Sequence, residues 1–335
     1  MKPVLTIAIP TFNRPEKLLK QVEAVLPQLR EGVELLIVDN CSPYDPAELL
    51  AAIPARVEAG SFRIHRNIAN IGLAGNLCRC LEVADGEWMW LLGDDDLATP
   101  EAVGFLLSAI EEWTVHPAPG PCVGAHFSTG IHRYPKDEVI STSEGYWNHL
   151  GEEVHFSNAL FLSSCLYQTA EARKHLRIGY MQIGSAAPHI AIYAAAVISG
   201  AHLRLDRRFL VEVGQADAGA SWNRLMVLAG ITTLVDIPGA RREILENLGG
   251  GIGCLLWRPF LKTTLGLMLT DRDRPLAYWR NVLFRLAIVL RGKRRLSASL
   301  LITASWLAVI PGVRPLLARI AGGSGAPVNA GADRI

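Results

Sequence analysis

A chain of 335 residues with 50% hydrophobic and 19% charged side chains is long enough to bury a real core and too apolar to be a disordered or fibrous polymer. Its net charge of +1 hides an imbalance, −9 over residues 1–240 and +10 over residues 241–335, so the basic C-terminal region is expected to seek an anionic partner, and no nucleic-acid partner is expected. The six cysteines contain no C-x-x-C pair, which argues against a structural zinc or a disulfide framework and for a reducing compartment.

Met1-Lys2-Pro3 runs directly into an apolar strand and is too short for a signal peptide, which points to the cytoplasm. Residues 4–9 read as a buried strand closed by the loop Pro10-Thr11-Phe12-Asn13-Arg14. Pro15 opens a helix in which Leu18, Leu19, Val22, Val25, Leu26 and Leu29 recur at helical spacing. Residues 33–38 form a second strand ending in Asp39-Asn40-Cys41-Ser42, residues 46–53 a weaker helix, and residues 62–65 a short third strand. A loop rich in glycine and asparagine covers residues 67–76 and runs into a helix to Ala84, with Asn76 at the helix start.

The fourth strand, residues 88–92, ends abruptly in Gly93 and three consecutive carboxylates, Asp94, Asp95 and Asp96. Trp88 and Trp90 alternate with Met89, so both belong to one face of that strand and to the core. Thr99 and Pro100 read as the cap and first residue of a helix to Trp113. The strand at residues 122–128 is expected to flank the fourth. Residues 131–160 are polar and mixed, with Tyr134, Tyr146, Trp147, His149 and His155 as aromatics for sugar stacking or for packing. Residues 163–167 read as a further strand.

Four alternations of strand and helix predict a doubly wound, mainly parallel sheet. Right-handed crossovers then put residues 11–14, 39–42, 67–76 and 94–96 along one edge, where open α/β sheets keep their ligands. Three carboxylates crowded at a strand tip repel one another unless a cation joins them. An Asp-x-Asp pair suits a divalent ion that also holds phosphate oxygens, although an acidic turn leading into a helix has the same appearance. Neither G-x-G-x-x-G nor G-x-x-x-x-G-K-[ST] occurs, which excludes the usual dehydrogenase and P-loop sites.

Taken together, Ile7 to Arg14, Leu36 to Ser42, Asn70 to Asn76 and Leu91 to Asp96 resemble the family 2 glycosyltransferases, and Trp90 to Asp96 with the Asn70 to Asn76 block resembles their abequosyltransferase-like branch, which acts on lipopolysaccharide O-antigen units. The resemblance implies a GT-A fold and inverting transfer of a hexosyl or deoxyhexosyl group. It places the nucleotide-sugar pocket on Pro10, Thr11, Asn13, Arg14, Asp39, Asn40, Gly72, Asn76, Asp94 and Asp95, and a Mg²⁺ or Mn²⁺ ion on Asp96 and Asp94. The family's Glu-Asp base pair is missing from residues 184–191, where His189 stands instead. A helix N-terminus there would favour the neutral, proton-accepting imidazole. Asp217 and Asp206 are the reserve bases, Asp217 within a stretch at 215–222 expected near the acceptor cleft.

The domain plan that follows is a nucleotide-sugar half over 1–115, an acceptor half over 116–240, a basic helical membrane-associating region over 241–320 and a disordered tail over 321–335. Residues 255–269 are too interrupted, and residues 296–310 too short, to span a bilayer. Amphipathic helices lying on an anionic membrane surface fit better, peripheral to the inner face of the plasma membrane, where a lipid-linked saccharide acceptor would be met. Two alternatives stand beside this reading. One is a catalytically silent glycan- or membrane-binding module. The other is a sugar-nucleotide nucleotidyltransferase, which would need a glycine- and lysine-rich first loop that Pro10 to Arg14 is not.

Overall fold

A computed structural model describes residues 2–51, 61–184, 187–212, 237, 261, 264–266, 268–269, 275–289 and 292–321. Asp217, the rest of the 215–222 stretch and residues 322–335 lie outside the described residues. The chain divides into two compact units, one of residues 1–150 and 154–215, the other of residues 216–334 with 151–153.

The first unit is built on four parallel strands: β1 (Leu5–Thr11), β2 (Val33–Asp39), β3 (Ser61–Arg66) and β4 (Trp88–Leu91). Every residue of β1, β2 and β4 is buried, as continuous apolar runs must be when helices cover both faces of a sheet. Two carboxylates sit inside that layer, Glu34 near the start of β2 and Asp39 at its end. Glu34 in β2 accepts hydrogen bonds from Thr6 Oγ1 (2.5 Å) and Arg63 Nε (2.9 Å), which make its burial tolerable. The helices α1 (Pro15–Val25), α2 (Pro46–Leu50) and α3 (Gly72–Val83) link these strands. Register places Thr11 beside Asp39 and Asp39 beside Arg66, so the carboxyl ends of β1, β2 and β3 come out together.

Beyond β4 the elements are β5 (Leu97–Ala98), α4 (Ala102–Val115), β6 (Cys122–Thr129), β7 (Glu138–Ile140), α5 (Ser143–Leu150), α6 (Glu153–Leu160), β8 (Cys165–Gln168), α7 (Thr169–Arg173), α8 (Leu176–Met181), α9 (Pro188–Ile198) and β9 (His202–Glu212). Among the described residues the sheet runs β3-β2-β1-β4-β8-β6-β9-β5, with β7 paired to β9. The expectation that residues 122–128 flank β4 is therefore corrected. The short apolar strand β8 enters between them, antiparallel to both, and β6 lies one place further out. Gly124 allows this close fit: at φ 152° it lies opposite Tyr167, and a Cβ there would stand 2.0 Å from the Leu166 carbonyl oxygen. The helix start at Thr99 is corrected as well. Thr99 donates its N–H to the Leu210 carbonyl (2.8 Å) as the chain leaves β5, and the cap position falls to Glu101.

Trp88 and Trp90 are core residues, as expected, packed with Leu5, Ile7, Leu106 and Phe127. The second unit has its own core of Trp279, Leu283, Leu286, Ala298 and Leu301 between α10 (Leu276–Val289) and α11 (Gly292–Leu307), followed by α12 (Val313–Ile320). No helix among the described residues is long and apolar enough to cross a membrane.

Candidate functional site

Parallel strands deliver their loops to one edge, and the loops after β1, β2 and β4 meet there. Two of them carry non-glycine residues in the left-handed region, Asn13 (φ 53°) and Cys41 (φ 67°). Asparagine tolerates that conformation and cysteine does so less readily, so the surrounding contacts must hold it. Ser42 supplies them. Its Oγ accepts the Asn13 N–H (2.8 Å), while its own N–H donates to the Asp39 carboxylate (3.1 Å to Oδ2). The fully buried Asp39 also faces Arg66 Nε at 3.4 Å.

An asparagine network braces this loop. Asn40 Nδ2 donates to Asn70 Oδ1 (2.7 Å), and Asn40 Oδ1 accepts from Asn67 Nδ2 (3.0 Å) and from the Ile71 N–H (3.0 Å). Asn76 is not at a helix start. The helix begins at Gly72, and Asn76, buried in its second turn, donates to the Val38 carbonyl (2.9 Å) and accepts from Asn67 (2.8 Å). The structure thus gives Asn76 a bracing contact to the end of β2. Gly72, at φ 76°, turns the chain into that helix, and its N–H bonds Asn70 Oδ1.

The acidic tip is tied to the first loop. Thr11 Oγ1 donates to Asp94 Oδ2 (3.0 Å), and Arg14 Nη1 bridges Asp94 Oδ1 (2.9 Å) and Asp95 Oδ2 (3.0 Å). Lys17 Nζ lies 3.7 Å from Asp95 Oδ2. Burial raises the pKa of Asp94 and Arg14 opposes that shift. For Arg14 burial acts to lower the pKa, but Asp94 and Asp95 outweigh it and the pKa is raised. Pro10 is the buried residue of β1 opposite Val38, so it shapes the loop from within the sheet.

Asp96 faces a different partner. Ser163 Oγ donates to Asp96 Oδ2 (2.5 Å) and accepts the Gly93 N–H (2.8 Å), while the Ser163 carbonyl accepts from Trp90 Nε1 (3.0 Å). A Cβ on residue 93 would lie 2.6 Å from Asp96 Oδ2, so only glycine lets the carboxylate fold back onto the serine. Sequence reasoning missed Ser163, reading it only as the start of a strand. Nothing local marks it, because its role comes from the pairing of β8 with β4.

Among the described residues no three His, Cys, Asp or Glu side chains converge so as to hold a metal unaided. The arrangement fits an ion of another kind. Mg²⁺ or Mn²⁺ takes one or two protein carboxylates and completes its shell with phosphate oxygens and water. Asp94 and Asp96 are the residues that would offer such an ion its carboxylates.

His189 is placed elsewhere. It is the second residue of α9, is 2% exposed, and holds Nε2 3.0 Å from the Ala159 carbonyl oxygen. Its ring borders an apolar cavity lined by Leu77, Met89, Leu91, Tyr167 and Ile192, on the face of β4 that Trp88 and Trp90 do not occupy. Burial, rather than the helix dipole, lowers its pKa to about 4, and the Ala159 and Leu160 backbone opposes that shift. That shift favours the neutral imidazole near pH 7, and a ring 2% exposed and turned onto the Ala159 carbonyl is placed for packing rather than for reach from solvent. Asp206 in β9 is paired with Arg208 Nη1 (2.7 Å), and burial raises its pKa.

The aromatics of residues 131–160 pack inward: Tyr134, Tyr146, Trp147 and His149 are all buried. His149 stacks on His155 with ring centres 4.4 Å apart and lies 6.3 Å from His126, which meets Tyr193 edge-on. Burial, with His155 and His132 adding to it, lowers the His149 pKa to about 3, and burial drives that of His126 well below its ordinary value. Unfolded, these imidazoles titrate near about 6.5. At lower pH the unfolded chain therefore binds more protons than the folded one. The stability that depends on neutral His126, His149 and His189 is whole above about pH 6.5 and is lost progressively as pH falls toward the folded values. The urea midpoint is expected to be lower at pH 5 than at pH 7.5, and equal midpoints would show that these histidines reach water.

Comparison with known proteins follows the same blocks. Residues 6–157 match the family model described as glycosyl transferase family 2. WcaA of Escherichia coli (strain K12), named as a colanic acid biosynthesis glycosyl transferase, is 27% identical over 173 residues, 50% of this chain and 61% of its own. A Campylobacter jejuni protein named as a GalNAc(5)-diNAcBac-PP-undecaprenol beta-1,3-glucosyltransferase is 26% identical over 114 residues, 34% of this chain and 37% of its own. The matched stretches thus span less than two thirds of the length of these relatives. Among solved structures, TarS 1-349 of S. aureus is similar over 96% of this chain and 88% of its own, with a TM-score of 0.52 and 13% identity. The same segment in complex with UDP-GlcNAc gives a TM-score of 0.51. The likeness is one of fold, a mixed α/β sheet of the GT-A type.

Proposed function

Because residues 6–157 match the model of glycosyl transferase family 2, we propose that the chain moves a sugar from a nucleotide-sugar donor to a saccharide acceptor in surface polysaccharide synthesis, inverting the anomeric carbon. What supports the reading most is the meeting of Thr11, Arg14, Asp94 and Asp96 at the edge where β1, β2 and β4 end. Asp39, Asn40 and the left-handed Asn13 turn form a pre-braced rim for the nucleoside, and Asp94 and Asp95 face the sugar and its diphosphate. A Mg²⁺ or Mn²⁺ ion held by Asp96 and Asp94 would supply Lewis-acid stabilisation of the leaving diphosphate. Arg14, already poised over the carboxylates, turns its guanidinium to the diphosphate and adds charge stabilisation where negative charge develops. The acceptor oxygen bonds to the anomeric carbon as the bond to the diphosphate oxygen breaks, and a base takes the hydroxyl proton.

For that base we assign Asp217. It is the carboxylate that the sequence holds in reserve beside Asp206, and it lies outside the described residues. A lipid-linked acceptor, met at the inner face of the plasma membrane, fits both the basic C-terminal region and the undecaprenol in the name of the Campylobacter relative. The absence of a carboxylate from residues 184–191 also favours a second reading, a silent binding module.

Calorimetric titration with UDP, CDP, GDP and dTDP, each with and without Mn²⁺, separates the two. Metal-dependent binding of one diphosphate, with donor hydrolysis that Asp217→Asn abolishes while binding persists, is the expected outcome. Binding without any turnover would leave the silent module, and no binding at all by folded protein would defeat both the transferase and the donor site.

A further inference from the structure

We propose that the second unit lies on anionic lipid through the exposed face of α11, with Leu296, Leu300, Trp306 and Leu307 entering the headgroup boundary and Arg295 meeting lipid phosphates. The proposal deepens the reading of a lipid-linked acceptor and rests on it.

Helical geometry sets two opposite stripes on α11. Ala298, Leu301 and Ser305 are buried and face α10, whereas Leu296 and Leu300, one turn apart, are 61% and 54% exposed. Trp306 is 61% exposed, and Leu307 continues the stripe. The apolar exposure does not stop with the helix: Val309 and Ile310 in the following turn, and Leu316 and Ile320 on α12, are exposed as well. So many exposed apolar side chains on α11, α12 and the turn between them, on a unit that already has its own core, mark a docking surface rather than a packing defect.

Charge decides what docks. Between Asp273 and Asp333 the chain holds nine lysines and arginines and no acidic residue. Two copies meeting through this face would bring like charges together, which disfavours self-association. An anionic lipid surface meets both features at once, since its headgroups pair with the arginines while its acyl boundary accepts the leucines. Trp306 has the amphipathic ring that suits the boundary itself, and Arg280 stands 3.9 Å over that ring, joining a cation to the apolar stripe. With no described helix able to cross a bilayer, the helix lies in the surface plane.

The test is co-sedimentation of the full chain with vesicles of phosphatidylcholine alone and of phosphatidylcholine with phosphatidylglycerol, alongside nucleoside-diphosphate titration of the same samples. Wild type is expected to pellet with the anionic vesicles and to be released by salt. Arg295→Gln should lower the partition coefficient about fivefold. Leu300→Glu, at an exposed position that the fold does not need, should lower it at least about tenfold. Both variants should bind nucleotide like wild type. Equal binding to neutral vesicles, an unchanged Leu300→Glu, or a dimer that Leu300→Glu dissolves would each overturn the proposal. Nucleotide binding without vesicle binding would defeat the membrane surface and leave the transferase reading intact, and the reverse pattern would do the opposite.

Discussion

Asp96→Ala is expected to lower kcat by about 10²- to 10³-fold at saturating donor, because it removes the carboxylate assigned to the ion that stabilises the departing diphosphate. The size follows from what the group does in the transition state: charge builds up on the leaving oxygen only as the glycosidic bond breaks, so the loss falls on kcat more than on KM for the acceptor. The change is not without structural cost. Ser163 Oγ loses its acceptor at 2.5 Å, and a buried donor without a partner costs roughly 1–3 kcal/mol. Two measurements on one sample separate these effects. Calorimetry should show that Mn²⁺ no longer strengthens diphosphate binding, while a thermal melt should still show a cooperative transition. If Mn²⁺ strengthens binding equally in the variant, Asp96 is not a metal ligand and the acidic tip serves the donor through Asp94 and Asp95 alone.

Ser163→Ala should weaken Mn²⁺ binding by about 10- to 100-fold, the usual cost of removing the group that orients a ligand. Ser163 is held at both ends, by the Gly93 N–H on its Oγ and by the Trp90 indole on its carbonyl, so its hydroxyl has one direction in which to donate, toward Asp96. Without it the carboxylate loses this orienting hydrogen bond and the Gly93 N–H is left without that acceptor. A purely structural role predicts lower stability with metal affinity unchanged; a positioning role predicts a raised metal requirement, with kcat largely recovered at high Mn²⁺. Ser163→Thr, which keeps the hydroxyl, is the control that should restore affinity.

Much of the acidic edge is legible in residues 1–96. Continuous apolar runs such as Leu-Leu-Ile-Val in β2 and Trp-Met-Trp-Leu in β4 fold as buried parallel strands, and chirality then carries every loop after them to one edge. That is why the sequence alone places Thr11, Arg14, Asp39 and the three aspartates along one edge of the sheet. Asn76 was legible as a polar residue of the third loop region but not as a member of the helix, since its neighbours Gly72 and Gly75 weaken any reading of where a helix begins.

The chain alone, then, determined the alternation of strands, the acidic tip and the division between an acidic body and a basic C-terminal region, because each depends on neighbours a few residues apart. Only tertiary structure decided that β8 inserts beside β4, that Ser163 thereby meets Asp96 from 67 residues away, and that His189 turns into the interior. Those outcomes depend on which distant surfaces bury each other best, and the balance is struck over the whole sheet rather than within any one stretch of sequence.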